Sequence, residues 1–168
     1  MKLAGPLAGP TAGRVLVHSA SPAETRALAT RMARVAERGD RLALLGPLGA
    51  GKTEFAKGFA AGLGVTETVA SPSFTLMAEY AGRLPLFHLD LYRLAGPEAV
   101  IDGGLLDERE REGVTLIEWA ERLDASLDPG RLEVRLTILE GDARDIEVVA
   151  AGAGQVRYLE TAAGVSRR

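Results

Sequence analysis

The chain has 168 residues, 46% hydrophobic and 26% charged, which fits one compact domain with its own core. It has no cysteine, which excludes a disulfide framework and a thiolate metal site, and no apolar run approaches the about 18 residues of a membrane helix. A formal net charge of -3 argues against a surface that grips nucleic acid unaided, because neutralising phosphates supplies most such affinity.

The opening MKLAGPLAGPTAG carries one Lys and is broken by Pro6 and Pro10. It makes a poor signal peptide and reads as a loose tail over residues 1–13, so cytoplasmic residence away from membranes is the simplest expectation. One domain is expected over residues 14–151, with a second flexible tail over 152–168. Arg14 to Ser19 alternate as a short strand. Ser21-Pro22-Ala23-Glu24 then reads as a capping box with Pro at the first helical position. The helix it opens is expected to reach Arg38, with Leu28, Met32 and Val35 at helical spacing and Gly39 as the stop.

Arg41 to Leu45 is an apolar run read as a buried strand. A Gly-rich loop follows, then a helix from about Gly51 to Leu63 with Phe55, Phe59 and Leu63 as its buried stripe. Val69 to Ala78 reads as a loop or edge strand held by Pro72. Leu86 to Tyr92 and Val114 to Glu118 read as strands, and Leu132 to Leu139 with Ile146 to Ala150 as a hairpin around Glu140-Gly141-Asp142. Strands alternating with helices predict an α/β fold: a P-loop NTPase-like three-layer sandwich, mostly parallel at its centre, with an antiparallel C-terminal hairpin.

GPLGAGKT matches G-x-x-x-x-G-K-[ST] over Gly46, Pro47, Leu48, Gly49, Ala50, Gly51, Lys52 and Thr53. Glycines let consecutive backbone N–H groups turn inward around phosphates, and the helix that follows aims its positive end at the same anion. Lys52 is then placed for the β- and γ-phosphates, and the Thr53 hydroxyl for Mg²⁺. The chain carries 17 Arg against 3 Lys, so its retention of Lys at position 52 is a weak further sign that this position requires Lys. The bland alternative, a chance Gly-rich turn, does not explain why the loop lies between an apolar strand and an amphipathic helix.

Such a site needs a carboxylate near the metal and a group that orients the attacking water. Two acids end apolar strands: Asp90 in LFHLD and Glu118 in VTLIE, the latter being the better match. The competing reading of each is a solvated strand end. His88 and Asp90 share a strand face. His88 reads first as a hydrogen-bonded structural residue and second as a proton relay. Trp119, the single Trp, is either core or a contact aromatic. Ser71, Ser73 and Thr75 in SPSFT form either a switch loop facing the γ-phosphate or an ordinary Ser/Pro turn.

GPLGAGKTEFAKGFAAGLG, SPSFTL, FHLDLYRL and LIEW, in this order and at these separations, resemble the bacterial TsaE (YjeE) family over about Ser21 to Asp128. The resemblance implies a small ATPase of tRNA threonylcarbamoyladenosine (t6A) formation. It would act with TsaD, which transfers the threonylcarbamoyl group, and TsaB, its non-catalytic partner. Turnover is expected to be weak alone and stimulated by those partners. It further implies ATP and Mg²⁺ as cofactors, Thr53 and Glu118 as metal ligands, and Lys52, Asp90 and Glu118 as catalytic groups. Ser71 and Thr75 would lie on a switch-like loop, Trp119 would be the tryptophan that follows the family's glutamate, and Glu24-Thr25 would lie near the adenine. Glu54 and Phe74 depart from residues common in the family, but neither is an expected ligand. Contact with tRNA is expected only through the complex, since most Arg residues interleave with acids as on solvated helix faces.

Three other readings compete. A small-molecule kinase would use the same loop but would show no phosphate release without an acceptor. A GTPase would normally carry an N/T-K-x-D motif, and no Lys here sits in one. A nucleotide-dependent scaffold would show negligible turnover.

Overall fold

The computed structural model describes residues 12–72, 77–92, 111–122 and 130–164. In chain order the elements are β1 (Gly13–Ser19), α1 (Pro22–Ala33), β2 (Arg41–Leu45), α2 (Lys52–Gly62), β3 (Met77–Tyr80), β4 (Leu86–Asp90), β5 (Val114–Glu118), β6 (Leu132–Ile138), β7 (Arg144–Ala150) and α3 (Val156–Ala162). The seven strands among the described residues form one sheet in the order β1-β7-β6-β2-β5-β4-β3. β6, β2, β5 and β4 run parallel at the centre, and β3, β7 and β1 are antiparallel additions at the two sides. The expected α/β class, parallel centre and C-terminal hairpin are all present.

The capping box works as its sequence implies. Ser21 Oγ accepts the Glu24 N–H at 3.2 Å, and the Glu24 carboxylate reaches back to the Ala20 N–H at 2.7 Å. Helix α1 ends at Ala33, short of the expected Arg38. Beyond it Arg34, Val35 and Ala36 donate three residues back, the tighter turn that closes helix ends. β4 stops at Asp90 rather than Tyr92, because the Asp90 carboxylate captures the Tyr92 N–H at 2.9 Å and turns the chain.

The larger core cluster joins Leu28 and Met32 of α1, Phe55 and Phe59 of α2, Tyr158 of α3 and the inward residues of β2, β4, β5 and β6. The three described helices thus pack on one sheet face. Helices α1 and α2 meet closely at Gly58, where a Cβ would stand 2.2 Å from the Arg26 carbonyl oxygen. The opposite face carries a smaller cluster of Ala43, Phe87, Leu89, Leu91, Ile117 and Ala120. Among the described residues no helix is long and apolar enough to cross a membrane.

The segment expected to be a flexible tail from residue 152 instead carries a 3-10 turn (Ala153–Gln155) and α3. Tyr158 is fully buried, and its hydroxyl donates to Asp40, which also receives Arg157. One aromatic side chain and one ion pair dock a helix whose sequence has only seven residues to advertise itself. At the other end, residue 13 already belongs to β1, and residues 1–11 lie outside the described set.

Candidate functional site

The Gly-rich loop connects the end of β2 to the start of α2, at the carboxyl end of the parallel strands, where α/β sheets place their ligands. Gly49 and Gly51 have φ of 79° and 101°, conformations that L side chains rarely adopt. They turn the loop so that α2 begins at Lys52 with its free N–H groups facing a cleft of about 450 Å³. The cleft is lined by residues 48 to 54 together with Ser71, Asp90, Tyr92, Glu118 and Trp119.

Register explains the acids. Asp90 and Glu118 are paired residues on the adjacent parallel strands β4 and β5, and Leu44 pairs with Glu118 from β2. Both carboxylates are buried. Glu118 Oε1 accepts the Thr53 hydroxyl at 2.9 Å, and Glu118 Oε2 lies 2.5 Å from His88 Nε2. His88 is fully buried, and among the described residues its Nδ1 has no hydrogen-bond partner, so its one contact of this kind is the Nε2 contact with Glu118. Asp90 takes the Ser71 hydroxyl on one oxygen and the Tyr92 N–H on the other.

Lys52 folds back over its own loop. Its ammonium donates to the carbonyls of Gly46 and Pro47 and stands 3.5 Å from the centre of the Trp119 ring. Burial lowers its pKa, while the carboxylates of Glu121, Glu118 and Asp90 pull the other way. Trp119 has φ of 56°, the one positive value at a non-glycine among the described residues. Such strain marks a position the surroundings impose. Here it turns the indole from the end of β5 toward the loop, where it also meets Tyr92 at 5.0 Å and Arg122 at 5.9 Å. Glu121 accepts the Gly46 N–H at 3.2 Å.

Most residues expected at the site meet here: Leu48 to Thr53 and Ser71, Asp90 and Glu118 line the cleft, with Gly46 and Pro47 holding Lys52. Thr25 does not line it. Its hydroxyl is buried against Ser19 Oγ at 2.8 Å, inside the start of α1, because the Ser21 cap winds that turn inward. Thr75, with Ser73 and Phe74, lies outside the described residues. Sequence reasoning overlooked Tyr92, Glu121 and Arg144. Tyr92 had a signal, standing two residues past Asp90. Arg144 had none, being 94 residues from the loop carbonyl it binds.

The arrangement suits a polyanion with a hard cation. Inward amides and an ammonium favour phosphate oxygens, and a hydroxyl beside two carboxylates favours an oxygen-seeking divalent ion. Among the described residues no group of three or more His, Cys, Asp and Glu could cage a metal alone, so ligand oxygens would have to complete its shell.

The family model described as "Threonylcarbamoyl adenosine biosynthesis protein TsaE" matches residues 19–146. The chain is 44% identical over 133 residues to the tRNA threonylcarbamoyladenosine biosynthesis protein TsaE of Bacillus subtilis (strain 168), covering 79% of this chain and 83% of that protein. It is 42% identical over 130 residues to the protein of the same description from Treponema pallidum (strain Nichols), covering 77% and 96%. Among solved structures, the crystal structure of Bacillus subtilis YdiB is similar at a TM-score of 0.70 and 37% identity, covering 90% of this chain and 95% of that one.

Proposed function

This chain belongs to the TsaE family of threonylcarbamoyl adenosine biosynthesis, and from that premise we propose that it binds ATP with Mg²⁺ in the cleft above Gly46–Thr53 and hydrolyses it in support of t6A formation on tRNA. The observation that carries this reading is the Thr53–Glu118 pair, a loop hydroxyl held 2.9 Å from a strand-end carboxylate beside a phosphate loop. The loop amides and Lys52 bind the β- and γ-phosphates, with the ammonium exchanging the carbonyls of Gly46 and Pro47 for phosphate oxygens. Thr53 and Glu118 would hold the cation, which would supply charge neutralisation at the terminal phosphate. Asp90, anchored by Ser71 and the Tyr92 amide, is the acid that orients a water. Ser71 lines the cleft and bonds Asp90, and Ser71 and Thr75 would belong to one switch segment.

The partners fit the same reading. A cytoplasmic chain with one small acidic domain works as a subunit of a TsaB–TsaD assembly, and that assembly provides the contact with tRNA. The test is phosphate release from ATP with and without Mg²⁺, and with and without purified TsaB–TsaD. Slow Mg²⁺-dependent release that rises at least about tenfold with the partners supports the proposal. Release that is equal with and without TsaB–TsaD contradicts the partner role, and no release under any condition favours a scaffold.

A further inference from the structure

Arg144 opens strand β7, on the hairpin that forms the far side of the phosphate loop. Among the described residues its guanidinium makes four hydrogen bonds, all to backbone carbonyls. Nη1 donates to Gly141 and Ala143 in the hairpin turn, at 3.0 and 2.8 Å. Nε and Nη2 reach the phosphate loop instead, donating to Ala50 O at 3.2 Å and Gly49 O at 3.1 Å. One planar fork therefore ties two sequence-distant turns together.

The loop half of this contact has a specific consequence. In extended chain, successive carbonyls point to opposite sides. Gly49 and Ala50 are successive, and both of their carbonyls accept from the same guanidinium. Two neighbouring peptide units thus turn their oxygens to Arg144, while the Ala50 N–H of the first of them donates to Pro47 O at 3.1 Å and closes the turn. Gly49 and Gly51 are in the left-handed region and Ala50 between them is not, so the backbone alternates in hand, the pattern of an anion-binding nest. Glycine alone permits the turn but does not select it, since a flexible loop loses it whenever no anion is present.

We propose that Arg144 is a positioning residue that holds Gly49 and Ala50 in the nest conformation before any phosphate arrives, acting through the loop backbone rather than on the ligand. This rests on the reading of the cleft as a nucleotide-phosphate site. Lysine cannot replace it, because a point charge on a flexible stem lacks the fork that spans two loop carbonyls and the hairpin turn together.

The test compares wild type, Arg144→Ala and Arg144→Lys by calorimetric titration with MgADP and by thermal unfolding without nucleotide. Both variants should bind MgADP about 10- to 100-fold more weakly, the loss expected for charge-assisted hydrogen bonds that preorganise a site. Their unfolding temperatures without nucleotide should stay within about 5 °C of wild type. The kcat at saturating ATP should change less than about threefold, since a preorganising loss falls on binding. Wild-type affinity in Arg144→Lys would show that charge alone suffices and would overturn the clamp. Wild-type affinity in Arg144→Ala would remove any role for the residue while leaving the phosphate-loop reading intact. Unfolding temperatures that collapse in both variants would make Arg144 a purely structural residue and also overturn it. A wild-type chain that fails to bind MgADP would strike the proposed function itself.

Discussion

Asp90 and Glu118 stand side by side on adjacent parallel strands, yet their four carboxylate oxygens are committed to different elements. Glu118 is tied to Thr53 of α2 and His88 of β4, whereas Asp90 is tied to Ser71 and to the chain's own turn at Tyr92. The two acids therefore have separable roles.

Removing each should give a different kinetic phenotype. Glu118→Ala is expected to abolish Mg²⁺-dependent hydrolysis and to leave ATP binding without Mg²⁺ nearly intact. Asp90→Asn is expected to keep MgATP binding within about threefold while lowering turnover by about 100-fold, the scale of losing a water-orienting group. Steady-state phosphate release with partners, alongside titration with and without Mg²⁺, checks both. Identical phenotypes would mean that the two acids act as one unit.

His88 should matter through Glu118. It is fully buried, and its Nε2 lies 2.5 Å from Glu118 Oε2, the oxygen turned away from Thr53. His88→Phe preserves a ring but leaves that carboxylate oxygen unpartnered. The Mg²⁺ concentration giving half-maximal hydrolysis should rise about 10- to 100-fold, as for other groups that orient a metal ligand. Metal-free nucleotide affinity should not move, and a shift there as large as the Mg²⁺ shift would reduce His88 to a packing residue.

The legible parts of this molecule were those where local residue chemistry dictates local structure. Gly46 to Thr53 declare a strand-to-helix loop because glycines at set spacings supply the backbone freedom it needs. LFHLD and VTLIE declare strands that deliver acids because apolar runs end on a carboxylate. What stayed hidden depends on contacts distant in sequence. Nothing near Arg144 announces two loop carbonyls as its partners, and Val156 to Ala162 looks like a tail until Asp40 supplies the group that binds Tyr158 and Arg157. Around Thr25 the motif was legible as a cap, but not the contact that the cap makes, which turns the Thr25 hydroxyl inward to Ser19.

Affinity for tRNA should be low in the isolated chain. The net charge is -3, and several basic groups are already engaged: Arg26 pairs with Glu54 at 2.5 Å, Arg135 with Glu133 at 2.7 Å, and Arg157 with Asp40. Counterion release needs clustered free cations. Filter binding at about 150 mM salt, where the screening length is roughly 8 Å, should give a dissociation constant weaker than micromolar. Sub-micromolar binding would show a basic surface that this charge pattern does not lead one to expect.

Trp119 should report nucleotide binding. It is the chain's single Trp, and the Lys52 ammonium lies 3.5 Å from its ring centre. A cation held this close is electrostatically coupled to the ring. Drawing Lys52 onto phosphates would remove it, so MgATP should change the intrinsic fluorescence and Lys52→Ala should lose most of that change. Emission unchanged at saturating MgATP would mean that Lys52 stays on the ring in the bound state.

The C-terminal helix should be a stabilising element. Tyr158 and Ala162 of α3 belong to the main core cluster, with Leu159 packed against it, so deleting the chain after Gly152 would uncover part of β7 and α1. Losing one fully buried aromatic typically costs about 3–5 kcal/mol. For a domain of this length that is a fall of roughly 6 to 20 °C in unfolding temperature. Tyr158→Phe keeps the ring and removes only the hydroxyl bonded to Asp40, so it should cost less, about 1–2 kcal/mol. The two differ in their response to pH as well. Burial, reinforced by the Asp40 carboxylate, raises the Tyr158 phenol above its ordinary value of 10.0. The folded chain then holds this proton more tightly than the unfolded one. The resulting stability is fully present below pH 10 and is lost as pH rises above it. Thermal unfolding measured between pH 8 and 11 should therefore show a decline above 10 that is shallower in Tyr158→Phe. A decline of equal slope in both proteins would assign the alkaline loss to other groups, and an unfolding temperature unchanged by the deletion would mean that α3 adds nothing to the core.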